Sequence, residues 1–309
     1  HDNHLVDFLN VSIPRPRYCN PAYMYQHNTQ AIRTRQCQLR QRLLATHRDM
    51  AAGPLVQARW PVVSEEYLEY IDVLSSVSSY VANMHAEKRP FTFVEIGCGY
   101  GHWTFAAHAA LKFKVPQGFR HRYLLIDVLD NLWPSISTIA AANDVTPSSL
   151  SFHVGYAVGN GVSELHATAK AEAIKQAEAY SRGWGRDVGK TSQTDALAAR
   201  PANLHDLLVA YDIPCQIDML DVDIQAAEYA LFDNNTVTML TRRARRVHIG
   251  LHGVWDLNDR LVDTFRAHGW QALHVHYPMA QHRTPWGRIQ VGDGIASFLN
   301  PSKDLCREH

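Results

Sequence analysis

The sequence predicts an α/β fold: an open, mostly parallel sheet with helices on both faces and an antiparallel last strand. Three observations predict it. From about residue 88, short buried strands alternate with helical stretches, as they do where crossover helices join parallel strands. The first strand runs into a glycine-rich turn, EIGCGYG, directly before a helix. The 309 residues are 46% hydrophobic and 19% charged, which suffices for one such Rossmann-like domain and an extension.

The chain divides into an N-terminal extension, residues 1–62, and a main domain, residues 63–309, with an insert at about 163–203. Apolar residues at helical spacing between Ile32 and Leu44 predict a helical extension that lies on the main domain. Three roles stay open for the extension: it caps a cleft, mediates a homodimer, or is the remnant of a linker. The insert interrupts the alternation, and we expect it to form a partly helical, partly mobile lid.

The main domain begins with a helix. Ser64 supplies a cap residue, acids follow in the first turn, and Arg89-Pro90 ends the helix. Strands are predicted at PFTFVEIG, RYLLIDV, LSFHVGYAV, CQIDMLDVD, RRVHIGLHG and WQALHVHYP, and helices at WTFAAHAALKF, NLWPSISTIAAAND, NLHDLLVAYDI, AAEYALFDN and DLNDRLVDTFRAHG. The segment GDGIASFLN is the antiparallel last strand.

Charge and cysteine content exclude several classes of protein. Lys plus Arg and Asp plus Glu number 30 each, so net charge favours neither nucleic acid nor an anionic membrane as a partner. No apolar run reaches the roughly 20 residues of a membrane span, and no signal peptide opens the chain, so we expect no targeting segment in it. The 5 cysteines form no CxxC pattern, which favours a cytoplasmic or other reducing compartment and leaves one bridge open.

The glycine turn predicts a ligand site, because open parallel sheets bind ligands beyond the carboxyl ends of their strands. Gly97, Gly99 and Gly101 follow the pattern GxGxG. A dinucleotide fingerprint needs its third glycine where His102 stands, and a phosphate-binding P-loop needs Lys-Ser/Thr where His102-Trp103 stands. The turn therefore disfavours a diphosphate.

Two acids flank the turn and predict a different ligand. Glu95, just before it, suits a ligand with an ammonium group, as the amino-acid end of S-adenosylmethionine has. Asp127, at the end of the second strand, is placed to accept both ribose hydroxyl protons. The predicted cofactor-binding set is Glu95, Gly97, Cys98, Gly99, Gly101, Asp127, Val128, Gly155 and Ala157, the last two beside the adenine.

With these motifs the chain resembles the class I S-adenosylmethionine-dependent methyltransferases, and more narrowly the FkbM family, over about residues 88–300. NLHDLLVAYDIPCQIDMLDVDIQAAEYALF is similar to the family segment LDdLL…gi…iDfLKIDvEGaEl.vL, and RRVHIGLHG to its ivvEvH strand. The resemblance implies O-methylation of a sugar or polyketide hydroxyl.

The chain departs from that family's pattern at several positions. Its first motif is EIGCGYG where the family has DVGANiG, and QAAE stands for EGAE. The family's lysine is Asp221 and the glutamate of its EvH strand is Gly250. Asp223, Glu228 and His252 match, and these three are the predicted catalytic residues.

Carboxylates cluster in IDMLDVD. Asp218, Asp221 and Asp223 lie on or beside a central strand, where unpaired carboxylates are costly, so they need partners or a role. Asp221 and Asp223 share a face about 6.6 Å apart. Asp223 falls at the cleft, as a helix cap, an active-site acid or both, and Glu228 is either a helix-dipole partner or functional.

Histidine supplies the predicted base. His248 and His252 lie about 13 Å apart on one strand, too far to share a metal, with His248 packed inside and His252 reaching the cleft. Methyl transfer to a hydroxyl needs alignment and a proton acceptor. Our hypothesis is that His252 is the base and Asp223 assists. The alternative is Mg²⁺ or Mn²⁺ held by Asp221 and Asp223 with Glu228.

The sequence therefore predicts an S-adenosylmethionine-dependent O-methyltransferase that acts on a hydroxyl of a carbohydrate or another small polar acceptor. Trp184 and Trp286 are candidate sugar-stacking residues, or packing residues of the insert. Two rivals stay open. A nicotinamide oxidoreductase shares the fold, and a non-catalytic binding module would keep it without turnover.

Overall fold

The computed structural model describes residues 4–7, 9–14, 56–57, 65–159, 201–224, 227–252, 255–284, 287–302 and 305–306. The strands are β1 (His4–Val6), β2 (Ser12–Pro14), β3 (Val56–Gln57), β4 (Phe91–Ile96), β5 (His121–Asp127), β6 (Leu150–Val154), β7 (Tyr156–Val158), β8 (Pro201–Asn203), β9 (Met219–Val222), β10 (Arg246–Leu251), β11 (Gln271–His276), β12 (Gln281–Thr284), β13 (Gly287–Gln290) and β14 (Gly294–Leu299). The helices are α1 (Glu65–Glu87), α2 (His102–Lys114), α3 (Trp133–Ala142), α4 (Leu204–Ala210), α5 (Glu228–Leu231), α6 (Asn234–Arg243) and α7 (Trp255–Ala267).

The main sheet has 7 strands in the order β11-β14-β10-β9-β4-β5-β6. The pairs are parallel except those of β14, which runs antiparallel to both β10 and β11. The predicted α/β class and the antiparallel last strand are confirmed. The order resembles the dinucleotide-binding order 3-2-1-4-5-6, with one added antiparallel strand between the fifth and sixth parallel strands.

The side chains of the central strands alternate between two cores. On one face, Val94 and Leu220 pack with apolar residues of α4, α6 and α7. On the other, Phe93 and Met219 pack with residues of α1, α2 and α3. Helices therefore cover both faces, as predicted, and the order of the strands reverses between β4 and β9. This switch point is where ligands bind in open α/β sheets.

The sequence interpretation was wrong at two places. LSFHVGYAV is not one strand: it breaks at Gly155, and β7 leaves the main sheet to pair in parallel with β8, which had been assigned to the insert. Helix α6 was not predicted. The described parts of the extension are β1, β2 and β3, which form a small sheet of their own. The predicted helix at 32–44 and residues 163–200 of the insert lie outside the described residues.

Two cross-links join elements far apart in the sequence. Arg89, after α1, forms two 2.6 Å hydrogen bonds to Asp218, which also accepts from the Thr92 backbone at 2.8 Å. Cys215 and Cys306 form a disulfide, which is the one bridge that the sequence left open. Disulfides persist mainly in oxidising compartments, and the compartment stays a prediction. Among the helices of the described residues, none has the length and apolarity to cross a membrane.

Replacing Arg89 with alanine is expected to destabilise the fold by about 3 kcal/mol, because Asp218 would keep a buried and unpaired charge. Urea unfolding followed by circular dichroism measures this. The control is Arg266→Ala, which removes an exposed pair with Asp263 and should cost less than about 1 kcal/mol. Equal losses in the two variants would contradict the assignment.

Candidate active site

The glycine turn closes the gap between two strand ends. Gly97 follows β4 with φ +79°, and its backbone N–H donates to the Ile126 carbonyl at 2.8 Å. A Cβ on Gly97 would lie 1.8 Å from the Asp223 carbonyl oxygen, so only glycine lets the ends of β4 and β9 approach this closely. Gly99 and Gly101 also have positive φ, at +52° and +82°.

Glu95 caps helix α2. Its side chain is buried and accepts hydrogen bonds from the Thr104 backbone at 2.9 Å, the Thr104 hydroxyl at 2.6 Å and the Trp103 backbone at 3.4 Å. Burial raises the pKa of Glu95 to about 7, against the lowering effect of these bonds. The carboxylate therefore occupies the helix N-terminus, where an anion such as a diphosphate would otherwise bind.

Asp127 is fixed beside the same turn. One carboxylate oxygen accepts from the Gly99 backbone at 2.9 Å and the other from the Leu129 backbone at 3.0 Å. Burial raises the pKa of Asp127 to about 6, although these bonds oppose the rise. Each oxygen keeps a second lone pair that can accept a hydroxyl proton, so the group can hold a diol when it is ionised.

The predicted adenine residues lie next to Asp127. The Gly155 backbone N–H donates to the Asp127 carbonyl at 2.9 Å, at the break between β6 and β7. Ala157 is buried within the core. Val128 lies between Asp127 and Leu129, within the turn that Asp127 stabilises. The structure thus brings the glycine turn, Asp127 and Gly155 to one end of the sheet.

Three predicted catalytic residues meet at the carboxyl ends of β9 and β10. His252 Nδ1 lies 2.9 Å from Glu228 Oε1, and its Nε2 lies 3.2 Å from Asp223 Oδ1. The His252 side chain is 2% exposed and that of Asp223 is 49% exposed. The sequence predicts that His252 reaches the cleft. The structure shows instead that Asp223 is the exposed member and that His252 lies behind it.

The carboxylates around His252 determine its charge. Burial lowers its pKa, but Glu228, Asp223 and then Asp293, whose Oδ2 lies 3.9 Å from Nε2, more than offset this and raise the pKa to about 9. At neutral pH the ring is therefore an imidazolium, and both nitrogens donate. A protonated ring cannot accept a further proton, and the role of His252 as the base stays a prediction.

Glu228 and Gly250 hold this ring in place. Glu228 is fully buried, and its Oε1 also accepts from the Ile224 backbone at 2.9 Å, which ties the loop after β9 to α5. A Cβ on Gly250 would lie 2.7 Å from His252 Cε1 and 3.3 Å from Asp223 Oδ1. The glycine that stands where the resembled family has glutamate therefore makes room for the His252–Asp223 contact.

The remaining predicted residues lie elsewhere. Asp218 pairs with Arg89, and His248 is packed inside as expected, 2.8 Å from Asp72. Asp221 groups with Glu69 and His248, whereas Asp223 groups with Glu228 and His252. Neither group contains both aspartates of the predicted metal pair. Trp184 and Trp286 lie outside the described residues.

An aromatic pair at the same edge was missed from the sequence. Trp255, which begins α7 and is 61% exposed, stacks on Tyr277 with ring centroids 5.4 Å apart and planes 16° from parallel. The Tyr277 hydroxyl donates to Asp259. Trp255 follows His252 by only three residues, and this proximity to a strand end was the available signal.

No protein-family model and no curated protein matches the chain. Among solved structures, it is similar to precorrin-6y C5,15-methyltransferase from Geobacter metallireducens GS-15, at 10% identity, 82% coverage of this chain, 96% of that chain and a TM-score of 0.37. It is also similar to the METTL16 MTase domain, at 10% identity, 97% coverage of this chain, 87% of that chain and a TM-score of 0.42. A third similar structure is the O-methyltransferase TomG from Streptomyces achromogenes, involved in tomaymycin synthesis and solved in complex with SAM. It has 15% identity, 74% coverage of this chain, 79% of that chain and a TM-score of 0.35. At these values the likenesses alone assign no activity to this chain.

Folding stability should depend on pH through His252. Its pKa is about 9 in the fold and about 6.5 in an unfolded chain, so the charged ring stabilises the fold below pH 6.5 and this contribution is lost as pH rises through 9. The loss is about 3 kcal/mol. Urea unfolding between pH 6 and 10 should show it in the native protein and in the exposed-histidine control His205→Gln, but not in His252→Gln. Parallel pH profiles for His252→Gln and the native protein would contradict this assignment.

Gly97 and Gly99 allow a matched comparison of two alanine substitutions in the same turn. Gly97→Ala should lower stability by several kcal/mol, because the new methyl group overlaps the Asp223 carbonyl. Gly99→Ala meets no atom within 4 Å and should cost only about 1–2 kcal/mol of backbone strain. Thermal unfolding of the two variants measures the difference, and similar melting temperatures would count against the close approach.

Proposed function

We propose that the protein is an S-adenosylmethionine-dependent methyltransferase that methylates a hydroxyl of a carbohydrate or other small polar acceptor. The observation that carries this proposal is the position of Glu95. Its carboxylate caps the N-terminus of α2, at 2.9 Å from the Thr104 backbone nitrogen. A dinucleotide-binding protein uses that helix end for the pyrophosphate, and a carboxylate there repels it.

The donor would lie across the switch point, with its methionine end along Gly97, Gly99 and Gly101. Its ribose hydroxyls would donate to Asp127, whose carboxylate is held by the Gly99 backbone. The adenine would lie by Gly155 and Ala157. Glu95 is buried behind the turn, so its effect on the donor ammonium would be electrostatic.

Asp223 would accept the proton of the acceptor hydroxyl. As the acceptor oxygen forms its bond to the methyl carbon, the carbon–sulfur bond breaks, its electron pair stays on sulfur, and the hydroxyl proton passes to the Asp223 carboxylate. His252, 3.2 Å from Asp223 Oδ1 and 2.9 Å from Glu228, would orient that carboxylate. These three residues also carry the narrower likeness to the FkbM family.

The acceptor would lie on the β10–β11 side of the cleft. Exposed aromatic rings such as Trp255 suit the C–H face of a sugar, and the half-exposed carboxylates Asp223 and Asp293 suit its hydroxyls. The stacked rings of Trp255 and Tyr277, which both belong to the described residues, support a carbohydrate acceptor. Trp184 and Trp286 stay candidates for the same role.

A catalytic Mg²⁺ or Mn²⁺ between Asp221 and Asp223 does not fit this arrangement. The two aspartates belong to different side-chain groups, and Asp223 is already paired with His252. No step of the proposed reaction therefore passes through a metal.

Titration calorimetry with S-adenosylhomocysteine and NAD⁺ tests the donor site. We expect the first to bind and the second not to, and Asp127→Asn to weaken binding at least about tenfold through lost hydroxyl hydrogen bonds. Asp130→Asn, an exposed acid nearby, is the control. Tighter binding of NAD⁺, or unchanged binding by Asp127→Asn, would overturn the donor assignment.

Turnover separates an enzyme from a non-catalytic module. With S-adenosylmethionine and a panel of glycans and small polyols, mass spectrometry should detect a product 14 Da heavier. Asp223→Asn should lower kcat by about a hundredfold or more, as loss of general-base catalysis does, with unchanged affinity for S-adenosylhomocysteine. Donor binding without turnover on any acceptor would favour the non-catalytic module.

A further inference from the structure

A row of polar side chains crosses the centre of the sheet beneath α1. Glu95, Asp221 and His248 are register neighbours on β4, β9 and β10. They are 2%, 1% and 2% exposed. Most of this face of the sheet is apolar, and carboxylates buried there are costly unless a positive charge or hydrogen bonds compensate them. The catalytic proposal above uses neither Asp221 nor His248.

Helix α1 adds a fourth polar side chain, Glu69, to this row. Glu69, Asp221 and His248 each have one oxygen or nitrogen atom that could bind a metal, and these three atoms lie within 4.8 Å of one another. Glu69 and Asp221 hydrogen-bond to each other, and burial followed by the neighbouring carboxylates holds the pKa of both well above the usual range. Asp221 Oδ1 is buried and has no hydrogen-bond partner among the described residues. The group therefore has an oxygen that nothing in the fold satisfies.

The imidazole of His248 is held in the manner of a metal ligand. Its Nδ1 lies 2.8 Å from Asp72 Oδ2 and 3.1 Å from the Ser297 hydroxyl, so these bonds engage Nδ1 rather than Nε2. Asp72 is fully buried and is fixed in turn by Arg246 at 2.6 Å. A carboxylate that orients the second nitrogen of a histidine is the usual outer shell of a metal site.

We propose that Glu69, Asp221 and His248 bind a divalent first-row transition metal such as Mn²⁺ or Zn²⁺. Two carboxylates and an imidazole are ligands that these ions accept. The ion would compensate the charge of both carboxylates and would be bound by the unsatisfied Asp221 oxygen. It would join α1 to β9 and β10 below the cleft, so its role is structural and independent of methyl transfer.

The cleft group shares the unsatisfied oxygen, because Glu228 Oε2 is also buried without a partner among the described residues, but it differs at its histidine. Both nitrogens of His252 are engaged by carboxylates, at 2.9 Å by Glu228 and 3.2 Å by Asp223, so a cation there must first break one of these bonds. In the α1 group, the carboxylate and hydroxyl contacts of His248 among the described residues are made by Nδ1. The geometry thus favours the buried group as the metal site.

Titration of the chelator-treated full chain with MnCl₂ or ZnSO₄ tests the proposal, with calorimetry and the loss of the free Mn²⁺ electron paramagnetic resonance signal as readouts. We expect one ion per chain and a rise in melting temperature on binding. Glu69→Gln and Asp221→Asn preserve side-chain shape, and each should lower the affinity at least tenfold.

Asp223→Asn is the matched control and should keep the affinity of the native protein. Circular dichroism checks that each variant is folded, and binding of S-adenosylhomocysteine, measured in parallel, reports on the donor site separately. Absence of binding to the native protein would show that the carboxyl pair holds only a proton, and would overturn the proposal. Loss of binding in Asp223→Asn but not in Glu69→Gln would move the ion to the cleft and overturn it equally.

Discussion

The site depends on one interaction, the capping of α2 by the buried Glu95 carboxylate. Because the acid belongs to β4 and the helix follows the glycine turn, this contact fixes the turn between two rigid elements. It also fills the helix end with a carboxyl group from the protein itself. The fold therefore resembles a dinucleotide-binding sheet in strand order, but its helix end is occupied by a side chain where such sheets hold a diphosphate.

The second constraint is the close approach of β4 and β9 at Gly97. The strand ends nearly touch, which brings the half-exposed Asp223 next to the turn that would hold the donor. Behind Asp223, the fully buried Glu228 and the imidazolium of His252 form a charged group that is balanced internally. A carboxylate oriented in this way faces the cleft with little freedom to turn away.

Local patterns predicted most of the fold. The features that were missed either have a weak local pattern or depend on contacts across long sequence distances. The strands and the glycine turn were read from apolar runs and spacing. Helix α6, with the sequence NNTVTMLTRR, carries few apolar residues and gave a weak signal. The partners of Asp221 and His248, namely Glu69 and Asp72, lie more than 140 residues away in the sequence, and no periodicity reveals such pairs. The function of Gly250 likewise depends on a neighbouring ring that only the coordinates show.

The Cys215–Cys306 bond has a mechanical consequence. It joins the segment before β9 to a point just beyond β14, and so closes a loop with a sequence separation of 91. A stretching force applied through the two chain ends would cross this bond directly and bypass the loop. The strand ends that carry Asp223 and His252 lie inside this loop, whereas the glycine turn and Asp127 lie outside it, so such a force would act on the donor side of the cleft and not on the acceptor side.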